Sequence, residues 1–253
     1  MTRSRRTGSG AGTGGKEKEG AMRRGIRALF FGLVIAGAAA WAASAAWQAD
    51  FTPSTFNPGV GDVVNFAVCE TCLGSGGAYR YLWDFNSDGV VDVDTDSPVT
   101  ACTFNAAGFY EVKLAIQDLG GREVTRRKGV FVGPVSAYGV RQIVPQEDGS
   151  LMVVVSIYVD RAPGGVTLIE SLPQGWQIQL IDTGGAFLAP FVAEERKYYV
   201  TWIPSSDPGW ETTFSYYLTR SYGEEHPRLT GEVSGYVDGA RFVGFVCGEL
   251  SVP

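Results

Sequence analysis

Beyond about residue 50, hydrophobic and polar residues alternate with a period of two over short stretches of the chain. This period places hydrophobic side chains on one face of an extended strand and polar side chains on the other. Segments rich in glycine, proline and aspartate separate the stretches at a spacing of roughly 8–12 residues. The pattern predicts an all-β protein built from β-sandwiches, and its clearest strands are residues 63–68, 110–118, 151–159, 197–203, 213–220 and 231–237.

The strand pattern breaks at Gly133-Pro134. A chain of 253 residues is long enough for one large domain or two small ones. We therefore expect two sandwiches in tandem, with the first domain at residues 51–133 and the second at 134–253.

Two further segments precede the predicted sandwiches. Residues 1–21 are rich in glycine, serine, threonine and charge and have almost no apolar side chain to bury. We expect this segment to be disordered or, because Met22 could start a shorter chain, to follow a mis-assigned start. Residues 22–46 predict a signal peptide or an N-terminal membrane anchor.

Both readings of residues 22–46 start from the arginines at positions 23, 24 and 27, which precede an uncharged stretch. Ala43-Ser44-Ala45 has the small-residue pattern of a signal-peptidase cleavage site. The uncharged stretch from Ala28 to Trp47 spans 20 residues, which is enough to cross a bilayer if it is not cleaved. Either reading places the rest of the chain outside the cytoplasm, because the arginines stay inside.

The formal net charge of −6 conceals a division along the chain. Residues 1–45 carry a net charge of +6, and residues 46–253 carry −12. An acidic body repels the phosphate backbone of nucleic acid, so we expect no nucleic-acid partner. The membrane is expected as a partner only through the N-terminal segment, if that segment is not cleaved.

The chain has four cysteines, at positions 69, 72, 102 and 247. An even number of cysteines in an exported chain predicts disulfides. The spacing Cys69-Glu-Thr-Cys72 also occurs in zinc sites and redox motifs. A zinc site of this kind needs a second close pair, and a redox motif needs a βαβ context; the sequence shows neither.

The first predicted domain resembles the PKD family, whose members are seven-stranded Ig-like β-sandwiches. The resemblance covers about 80 residues, roughly a third of the chain. The sequence departs from the family pattern in two ways: two residues are inserted between Phe85 and Asp88, and Ala107 stands where the family usually has proline. The matching positions are Trp83, Phe85, Asp88, Gly89, Pro98, Phe104, Gly108, Tyr110, Val112, Leu114, Ile116 and Asp118.

The resemblance also implies a disulfide pairing. In such a sandwich Cys69 would end one strand and Cys102 would lie on another strand of the same sheet. We therefore expect a Cys69–Cys102 bridge, with Cys72–Cys102 as the second choice. Cys247 would pair with the cysteine that remains and tie the C-terminal region to the first domain.

The stretch from Tyr81 to Pro98 carries five aspartates between positions 84 and 96. Alternating oxygen side chains with a glycine at the sharp turn follow the spacing of a calcium-binding loop, which makes a structural Ca²⁺ site one hypothesis. The expected glutamate at the twelfth position is Thr95, and aspartate, asparagine and glycine are also ordinary turn residues. A plain turn is therefore the other reading, and the candidate ligands are Asp84, Asn86, Asp88 and Asp92.

The second predicted domain resembles the Ig-like conserved repeats of bacterial and archaeal surface proteins. The resemblance implies a second β-sandwich and no chemistry. It rests on short motifs over about 100 residues: Glu170, Leu172, Pro173, Gly175 and Trp176, and then Tyr217, Leu218, Leu229, Gly231 and Val233.

Aromatic residues are dense in this second domain. Neighbouring tyrosines on a strand point to opposite faces, so some of them must face outwards. An exposed aromatic row could stack on sugar rings or hold a protein, and we take Trp210, Tyr217 and Tyr222 as candidate binding residues. The alternative is that tyrosine is simply a good strand former.

No catalytic motif accompanies these features. The chain has one histidine, His226, in a turn-like stretch, and neither a G-x-S-x-G elbow nor an H-E-x-x-H motif. We expect a non-enzymatic, exported protein of the cell surface or medium that serves adhesion through protein–protein or carbohydrate contacts. Its expected partners are an envelope protein or a polysaccharide, with no cofactor unless calcium binds the aspartate-rich loop. The alternatives are an accessory protein of a polysaccharide-degrading system and a structural spacer.

Overall fold

The computed structural model describes residues 47–251 except 74–78, 161–163, 205–208 and 224–225. The predicted disordered start and the predicted signal peptide or anchor lie outside the described residues. These residues form sixteen β-strands and contain no α-helix, so the all-β prediction is confirmed. Their one helical segment is a short 3-10 helix at Glu70–Leu73, and no helix in this part of the chain is long and apolar enough to cross a bilayer.

The first sandwich holds seven strands in two sheets. One sheet has the order β1-β2-β5, and the facing sheet has the order β4-β3-β6-β7. The strands are β1 (Phe51–Pro53), β2 (Val63–Val68), β3 (Tyr79–Asp84), β4 (Val93–Thr95), β5 (Val99–Thr103), β6 (Gly108–Asp118) and β7 (Glu123–Val132).

An aromatic cluster fills the centre of the first sandwich. Trp83 on β3 is completely buried, as the sequence pattern indicates for a strand with one hydrophobic face. Its ring lies 5.2 Å from Phe51, 5.6 Å from Phe66 and 5.9 Å from Phe85, measured between ring centres. Because these rings come from both sheets and from the loop after β3, the cluster holds the two layers together and positions that loop.

The second sandwich uses the remaining nine strands. One layer has the order β11-β14-β9-β8, and the other has the order β15-β10-β13-β12. The strands are β8 (Ala137–Pro145), β9 (Leu151–Val159), β10 (Val166–Ser171), β11 (Trp176–Asp182), β12 (Phe191–Val192), β13 (Lys197–Trp202), β14 (Trp210–Arg220), β15 (Thr230–Val237) and β16 (Ala240–Glu249).

Strand β16 joins the layers and the sandwiches. Its first half pairs antiparallel with β15, and its second half pairs parallel with β8. Its last residues also pair with Gly129 and Lys128 on β7 of the first sandwich. Gly248 of β16 pairs with both β7 and β8. Its φ is 77°, and a Cβ at this position would lie 2.4 Å from the Arg141 carbonyl oxygen. The close approach of three strands therefore needs glycine.

An apolar cluster and an ion network also hold the sandwiches together, and residues 46–253 form one compact unit. Phe56, Val140 and Cys247 are the buried members of the apolar cluster. In the ion network, Lys128 Nζ lies 2.8 Å from Asp50 Oδ1 and 2.9 Å from Glu249 Oε1. The predicted boundary after residue 133 falls in the short segment between β7 and β8.

The core of the second sandwich contains a fully buried ion pair. Arg141 on β8 donates from Nε and Nη2 to the two carboxylate oxygens of Glu170 on β10, at 2.8 and 2.9 Å. The Tyr216 hydroxyl on β14 donates to Glu170 Oε1 at 2.9 Å. Arg141 Nη1 donates to the Glu249 and Leu229 carbonyls at 3.0 and 3.3 Å. The pair therefore connects both layers and the end of β16.

Burial shapes the acid–base properties of this network. Burial and the negative charge of Glu170 raise the pKa of Tyr216 well above its ordinary value, so the hydroxyl keeps its proton. Burial alone would lower the pKa of Arg141, but the charge and hydrogen bonds of Glu170 outweigh burial and raise it. The guanidinium therefore remains charged and paired.

The structure corrects the expected disulfides. Cys69 is bonded to Cys72, with their Cα atoms 5.4 Å apart, and Cys102 and Cys247 are free. The expected bridges from Cys102 are wrong because Cys102 lies opposite Val64 on β2. Cys69 is five residues beyond Val64, about 17 Å along the strand, which is far outside the reach of a disulfide. Cys247 is buried at the junction, where hydrogen bonds along β16 tie the two sandwiches instead.

Replacing Glu170 with leucine tests the buried ion pair. The variant leaves Arg141 charged and unpaired in the core, so we expect the free energy of unfolding to fall by about 3–5 kcal/mol. The double variant Arg141→Met/Glu170→Leu removes both charges and should regain most of that loss. Urea denaturation followed by tryptophan fluorescence measures both, and equal losses in the two variants would contradict the proposed pairing energy.

The thiol of Cys247 predicts a loss of stability at high pH. Burial raises its pKa from 9.0 to about 12. The unfolded chain releases this proton near pH 9 while the folded protein retains it, so stability falls as the pH rises from 9 towards 12. One proton corresponds to about 1.4 kcal/mol per pH unit.

The measurement compares wild type with Cys247→Ala between pH 8 and 10, below the range where tyrosines contribute most. The variant loses packing at every pH, but its stability should depend less on pH, by about half a proton on average over this range and by close to one proton at pH 10. Parallel pH profiles of the two proteins would show that the thiol does not titrate as inferred.

Candidate functional site

The outer side of one layer of the second sandwich carries almost no charge. This layer consists of β11, β14, β9 and β8, and its four strands hold four charged residues. Arg141 points into the core, and the other three, Asp182, Glu211 and Arg220, lie at strand ends. The middle of the outer side is therefore uncharged within a body whose net charge is −12.

The alternation of burial along the strands defines which side chains face outwards. On β9 the odd-numbered residues from Leu151 to Val159 are buried in the core, and the even-numbered residues between them are partly exposed. On β14 the buried residues are Phe214, Tyr216 and Leu218, so Ser215 and Tyr217 face outwards. We call the outward residues away from the junction the neutral face: Gln142, Val144, Met152, Val154, Gln177, Gln179, Ser215 and Tyr217.

The strand register arranges these residues in rows across the layer. Gln179 lies opposite Tyr217, Tyr217 lies opposite Met152, and Met152 lies opposite Val144. The next row runs through Ser215, Val154 and Gln142, with Asp182 at its edge. Four strands at the usual spacing make each row about 14 Å wide. The face thus offers an aromatic ring and apolar side chains flanked by amides.

The polar side chains of the neutral face are available to a ligand. Gln142, Gln177 and Gln179 are exposed, and Tyr217 is half-buried. Within the described residues, none of these four side chains forms a hydrogen bond to the protein. Each amide has two donors and an acceptor, and the phenol adds one of each. The face can therefore exchange hydrogen bonds with an uncharged, hydroxyl-rich ligand while the Tyr217 ring packs against its apolar side.

The other end of the same layer is covered by the junction. Val140 is buried there, and the rings of Tyr138 and Tyr158 stack with centres 5.1 Å apart beside it. The first sandwich therefore closes one end of the outer side and leaves the neutral face at the opposite end. A ligand along the rows would be bounded on one side by the junction.

The structure does not bring the three predicted aromatic residues together. Tyr217 lies in the neutral face, but Trp210 points to the inner side and contacts Trp202, with ring centres 6.3 Å apart. Tyr222 is exposed in a loop beyond β14 and lines a cavity of about 400 Å³ with Pro173 and Pro227. Trp210 and Tyr222 are twelve positions apart, too far to form one small site with Tyr217 between them.

Sequence reasoning missed the glutamines of the neutral face. Gln177 and Gln179 alternate with the buried Trp176 and the partly buried Ile178 on β11, and Gln142 lies between the buried Arg141 and Ile143 on β8. The sequence held one indication of this face, namely several predicted strands that have no charged residue in their middle although the chain is acidic. It could not be assigned to one face before the pairing of β8, β9, β14 and β11 was known.

The aspartate-rich loop is closed by its own hydrogen bonds. Asp84 is buried, and its carboxylate accepts the Gly89 and Asn86 amides at 3.0 and 3.3 Å. Asp92 accepts the Phe85 amide at 2.7 Å, and Asp88 accepts the Val90 amide at 2.8 Å. Gly89 turns the chain at a φ of 89°.

All four candidate calcium ligands thus accept backbone amides, since Asn86 Oδ1 accepts the Asp88 amide at 3.1 Å. Among the described residues, no group of three or more histidine, cysteine, aspartate or glutamate side chains is placed as a metal site. Calcium binding to this loop stays a prediction.

A shallow groove of about 360 Å³ lies beside this loop in the first sandwich. It is lined by Asn86, Asp92, Cys102 and Tyr110, among others. Burial, together with the negative charge of Asp92, raises the pKa of the Cys102 thiol, so the thiol is protonated and unreactive at neutral pH. The groove therefore offers no activated nucleophile. His226, the only histidine, is exposed in the loop between β14 and β15.

Comparison with protein families supports the reading of the first sandwich. A family model described as PKD domain matches residues 51–128. The resemblance of residues 51–133 to this family is therefore confirmed for that range. A search of curated proteins found no match.

Several solved structures resemble the chain weakly. One is a carbohydrate-binding module of the β-sandwich superfamily, with 14% identity, a TM-score of 0.33, and coverage of 81% of this chain and 98% of that one. Another is chitinase ChiA74 from Bacillus thuringiensis, with 9% identity, a TM-score of 0.35, and coverage of 66% and 26%.

A third is the C-terminal domain of the Streptococcus pyogenes antigen I/II-family protein AspA, with 9% identity, a TM-score of 0.29, and coverage of 80% and 99%. At these TM-scores the likeness is too weak to carry a conclusion about this chain.

Removing the Asp84 carboxylate tests how the loop is held. Asp84→Ala leaves the Gly89 and Asn86 amides without their acceptor, so we expect the free energy of unfolding to fall by about 1–3 kcal/mol in the presence of a calcium chelator. The matched control is Asp96→Ala, an exposed aspartate beyond the end of β4, which should change stability by less than about 0.5 kcal/mol.

Thermal unfolding in chelator, and then with added Ca²⁺, separates the two readings of the loop. An Asp84→Ala variant as stable as the control in chelator would contradict the hydrogen-bonded loop. A rise in the melting temperature of wild type with Ca²⁺, absent in Asp84→Ala, would support the calcium hypothesis.

Proposed function

We propose that this protein is a non-catalytic, extracytoplasmic protein that binds an uncharged polysaccharide across the neutral face of its second sandwich. The observation that carries the proposal is the pairing of Tyr217 with exposed, unpartnered glutamines on a face without central charge. The PKD domain at residues 51–128 and the predicted export segment support a location outside the cytoplasm.

Electrostatics select the class of ligand. The body has a net charge of −12, so anionic polymers such as nucleic acid or acidic polysaccharides are repelled. An uncharged polysaccharide meets no such barrier, and the neutral face would not have to desolvate a charge to bind it. The Tyr217 ring would stack on a sugar ring, and Gln179 and Gln177 would form hydrogen bonds with its hydroxyl groups. The register of β11 and β14 places these three side chains next to one another.

The shape of the face favours binding over catalysis. It is an open sheet surface, whereas hydrolysis of a glycosidic bond needs two carboxyl groups across a bound sugar. The neutral face has one carboxylate at its border, Asp182, and that side chain accepts the Gly184 amide at 2.9 Å. We therefore infer an accessory or adhesive role, in which the protein holds a polymer that another protein makes or degrades.

Contact with an envelope protein is the second candidate function. One observation favours it: the side chains of Phe187, Leu188 and Ile203 are exposed. The backbone groups of Phe187 and Leu188 are hydrogen-bonded to Thr201 on β13, which precedes Ile203 by two residues. A cluster of exposed apolar side chains of this kind is typical of a protein contact. The cluster lies beside β13, in the other layer from the neutral face, and uses different side chains, so substitutions can separate the two functions.

Binding to neutral and acidic polysaccharides tests the proposal. We expect the protein to be retarded in native gels that contain a soluble neutral glucan or mannan and not in gels that contain polygalacturonate. Tyr217→Ala should weaken binding about tenfold, about 1.4 kcal/mol, because it removes the stacking ring. Gln179→Ala should weaken it by less.

The matched control is Tyr236→Ala, which removes an exposed tyrosine from β15 in the other layer and should leave binding unchanged. Equal losses in Tyr217→Ala and Tyr236→Ala, or retardation by the acidic polymer alone, would refute the proposal. Loss of binding in a Phe187→Ser/Leu188→Ser variant, with Tyr217→Ala unaffected, would assign the contact to the apolar cluster instead.

A further inference from the structure

Lys128 is a nearly buried amine that lies against two carboxylates at the junction of the sandwiches. Its Nζ atom is 2.8 Å from Asp50 Oδ1 and 2.9 Å from Glu249 Oε1, and its side chain is 9% exposed. The amine also lies over the ring of Phe51, 5.5 Å from the ring centre. The structure therefore holds a nucleophilic group next to two acyl groups, in a place that largely excludes water.

The two carboxylates have different surroundings. Glu249 is nearly buried, and its Oε2 atom lies 2.5 Å from Arg126 Nη2. The Asp50 side chain is 36% exposed, its Oδ1 atom accepts the Phe51 amide at 2.9 Å, and Arg126 Nε lies 3.8 Å from the same oxygen. Glu249 is thus placed to accept a proton from Lys128, whereas Asp50 is an acyl group that has donors at one oxygen and access to solvent.

We propose that Lys128 and Asp50 condense into an intramolecular amide, with Glu249 as the base. Lys128 first gives one proton to the Asp50 carboxylate, which produces a neutral amine and a carboxylic acid. Nζ then attacks Cγ of Asp50, while Glu249 takes a second proton from Nζ and passes it to Oδ2, which leaves as water. One C–N bond forms, one C–O bond breaks, and one positive and one negative charge disappear together. The step consumes no oxidant, reductant or cofactor.

The fold supplies the orientation that this condensation needs. The Asp50 carbonyl accepts the Cys69 amide at 2.9 Å and its carboxylate accepts the Phe51 amide, so the acyl group is fixed on two sides. Reacting groups that are held in this way have effective molarities of roughly 10⁵–10⁸ M, which favours an amide that free amines and acids do not form in water. Negative charge that develops on Oδ1 is stabilised by the Phe51 N–H and by the nearby Arg126 guanidinium.

Two other ion pairs of the described residues show what distinguishes this site. Arg141 and Glu170 are more deeply buried, but a guanidinium keeps its proton and does not attack a carboxyl carbon. Lys197 Nζ lies 3.5 Å from Glu195 Oε2, and these side chains are 37% and 49% exposed, so water competes for both groups. Lys128 combines a nucleophilic amine with burial and a second carboxylate.

The amide would join the first and last strands of the PKD domain. Asp50 directly precedes β1, and Lys128 lies on β7 in the facing sheet. The link would therefore enclose nearly the whole first sandwich in one covalent loop and keep its two sheets from separating. Such a loop also lowers the conformational entropy of the unfolded chain, which favours the folded state. The proposal does not depend on polysaccharide binding, which uses another part of the molecule.

Mass spectrometry of the full chain, purified in its native state and then reduced and denatured, tests the proposal. We expect wild type to be lighter, by the mass of one water molecule, than the sequence from its observed N-terminus predicts. A protease digest should contain a branched peptide in which Lys128 is joined to Asp50. A wild type with the full mass would overturn the proposal, and so would a branch that joins Lys128 to Glu249.

Variants assign the roles of the three residues. Lys128→Arg and Asp50→Ala remove the nucleophile and the acyl group, so both should have the full mass. Glu249→Gln keeps the size of the side chain but removes the base, so the linked fraction soon after synthesis should fall about tenfold or more. The matched control is Lys197→Arg, which alters the exposed ion pair and should lose one water as wild type does.

Loss of water in Lys128→Arg, or a linked fraction in Glu249→Gln equal to that of wild type, would contradict the assigned roles. A full mass in Lys197→Arg would do the same. Tryptophan fluorescence checks that each variant is folded, and the wild-type mass and branched peptide decide the matter even where a variant does not fold. These measurements involve no polysaccharide, so failure of the amide and failure of the proposed function are distinguishable.

Discussion

The buried pair between Arg141 and Glu170 is the constraint on which the second sandwich depends. The guanidinium binds a carboxylate on the facing layer and two carbonyls, one of them at Glu249 on β16. A charge that is completely out of water must satisfy nearly all of its donors, so the relative positions of β8, β10 and the end of β16 are fixed together. The same residue, Glu249, then uses its carboxylate to hold Lys128 and Arg126 of the first sandwich. One chain of charge interactions thus runs from the centre of the second core to the neighbouring sandwich.

This arrangement concentrates charge in the interior and at the junction. Glu249 and Lys128 are nearly buried, and Asp50 completes their network. Meanwhile the outer side of β8, β9, β14 and β11 has no charge in its middle. A polar contact with an uncharged ligand is then possible on a protein that is otherwise strongly acidic. The division between a charged junction and a neutral face is the electrostatic basis of the proposed function.

Much of the fold was predictable because one side of each strand is buried. The alternation around Tyr110 and Leu114, and the burial of Trp83, follow directly from the two-residue period. The pairing of strands that are distant in sequence was not predictable. Arg141 and Glu170 are 29 residues apart, and nothing in the local pattern of either indicates the other. The wrong Cys69–Cys102 bridge has the same origin, since placing two cysteines in one sheet does not give the register between their strands.

The candidate site shows the same limit more sharply. Tyr217 was recognisable as an aromatic residue on an amphipathic strand, but its neighbours Gln179 and Met152 come from strands that precede it by 38 and 65 positions. Trp210 was equally recognisable and faces the core, because it is an odd number of positions from Tyr217. A binding face on a sheet is assembled across strands, so it is read from register and not from composition.

The position of β16 in the chain has a consequence for how the protein matures. Its partners β7, β8 and β15 all come earlier in the sequence, and β16 completes the layer that carries the neutral face. During synthesis, the second sandwich therefore cannot close until this late segment has emerged. Until then, the strands that pair with it expose apolar surface that a chaperone would have to shield.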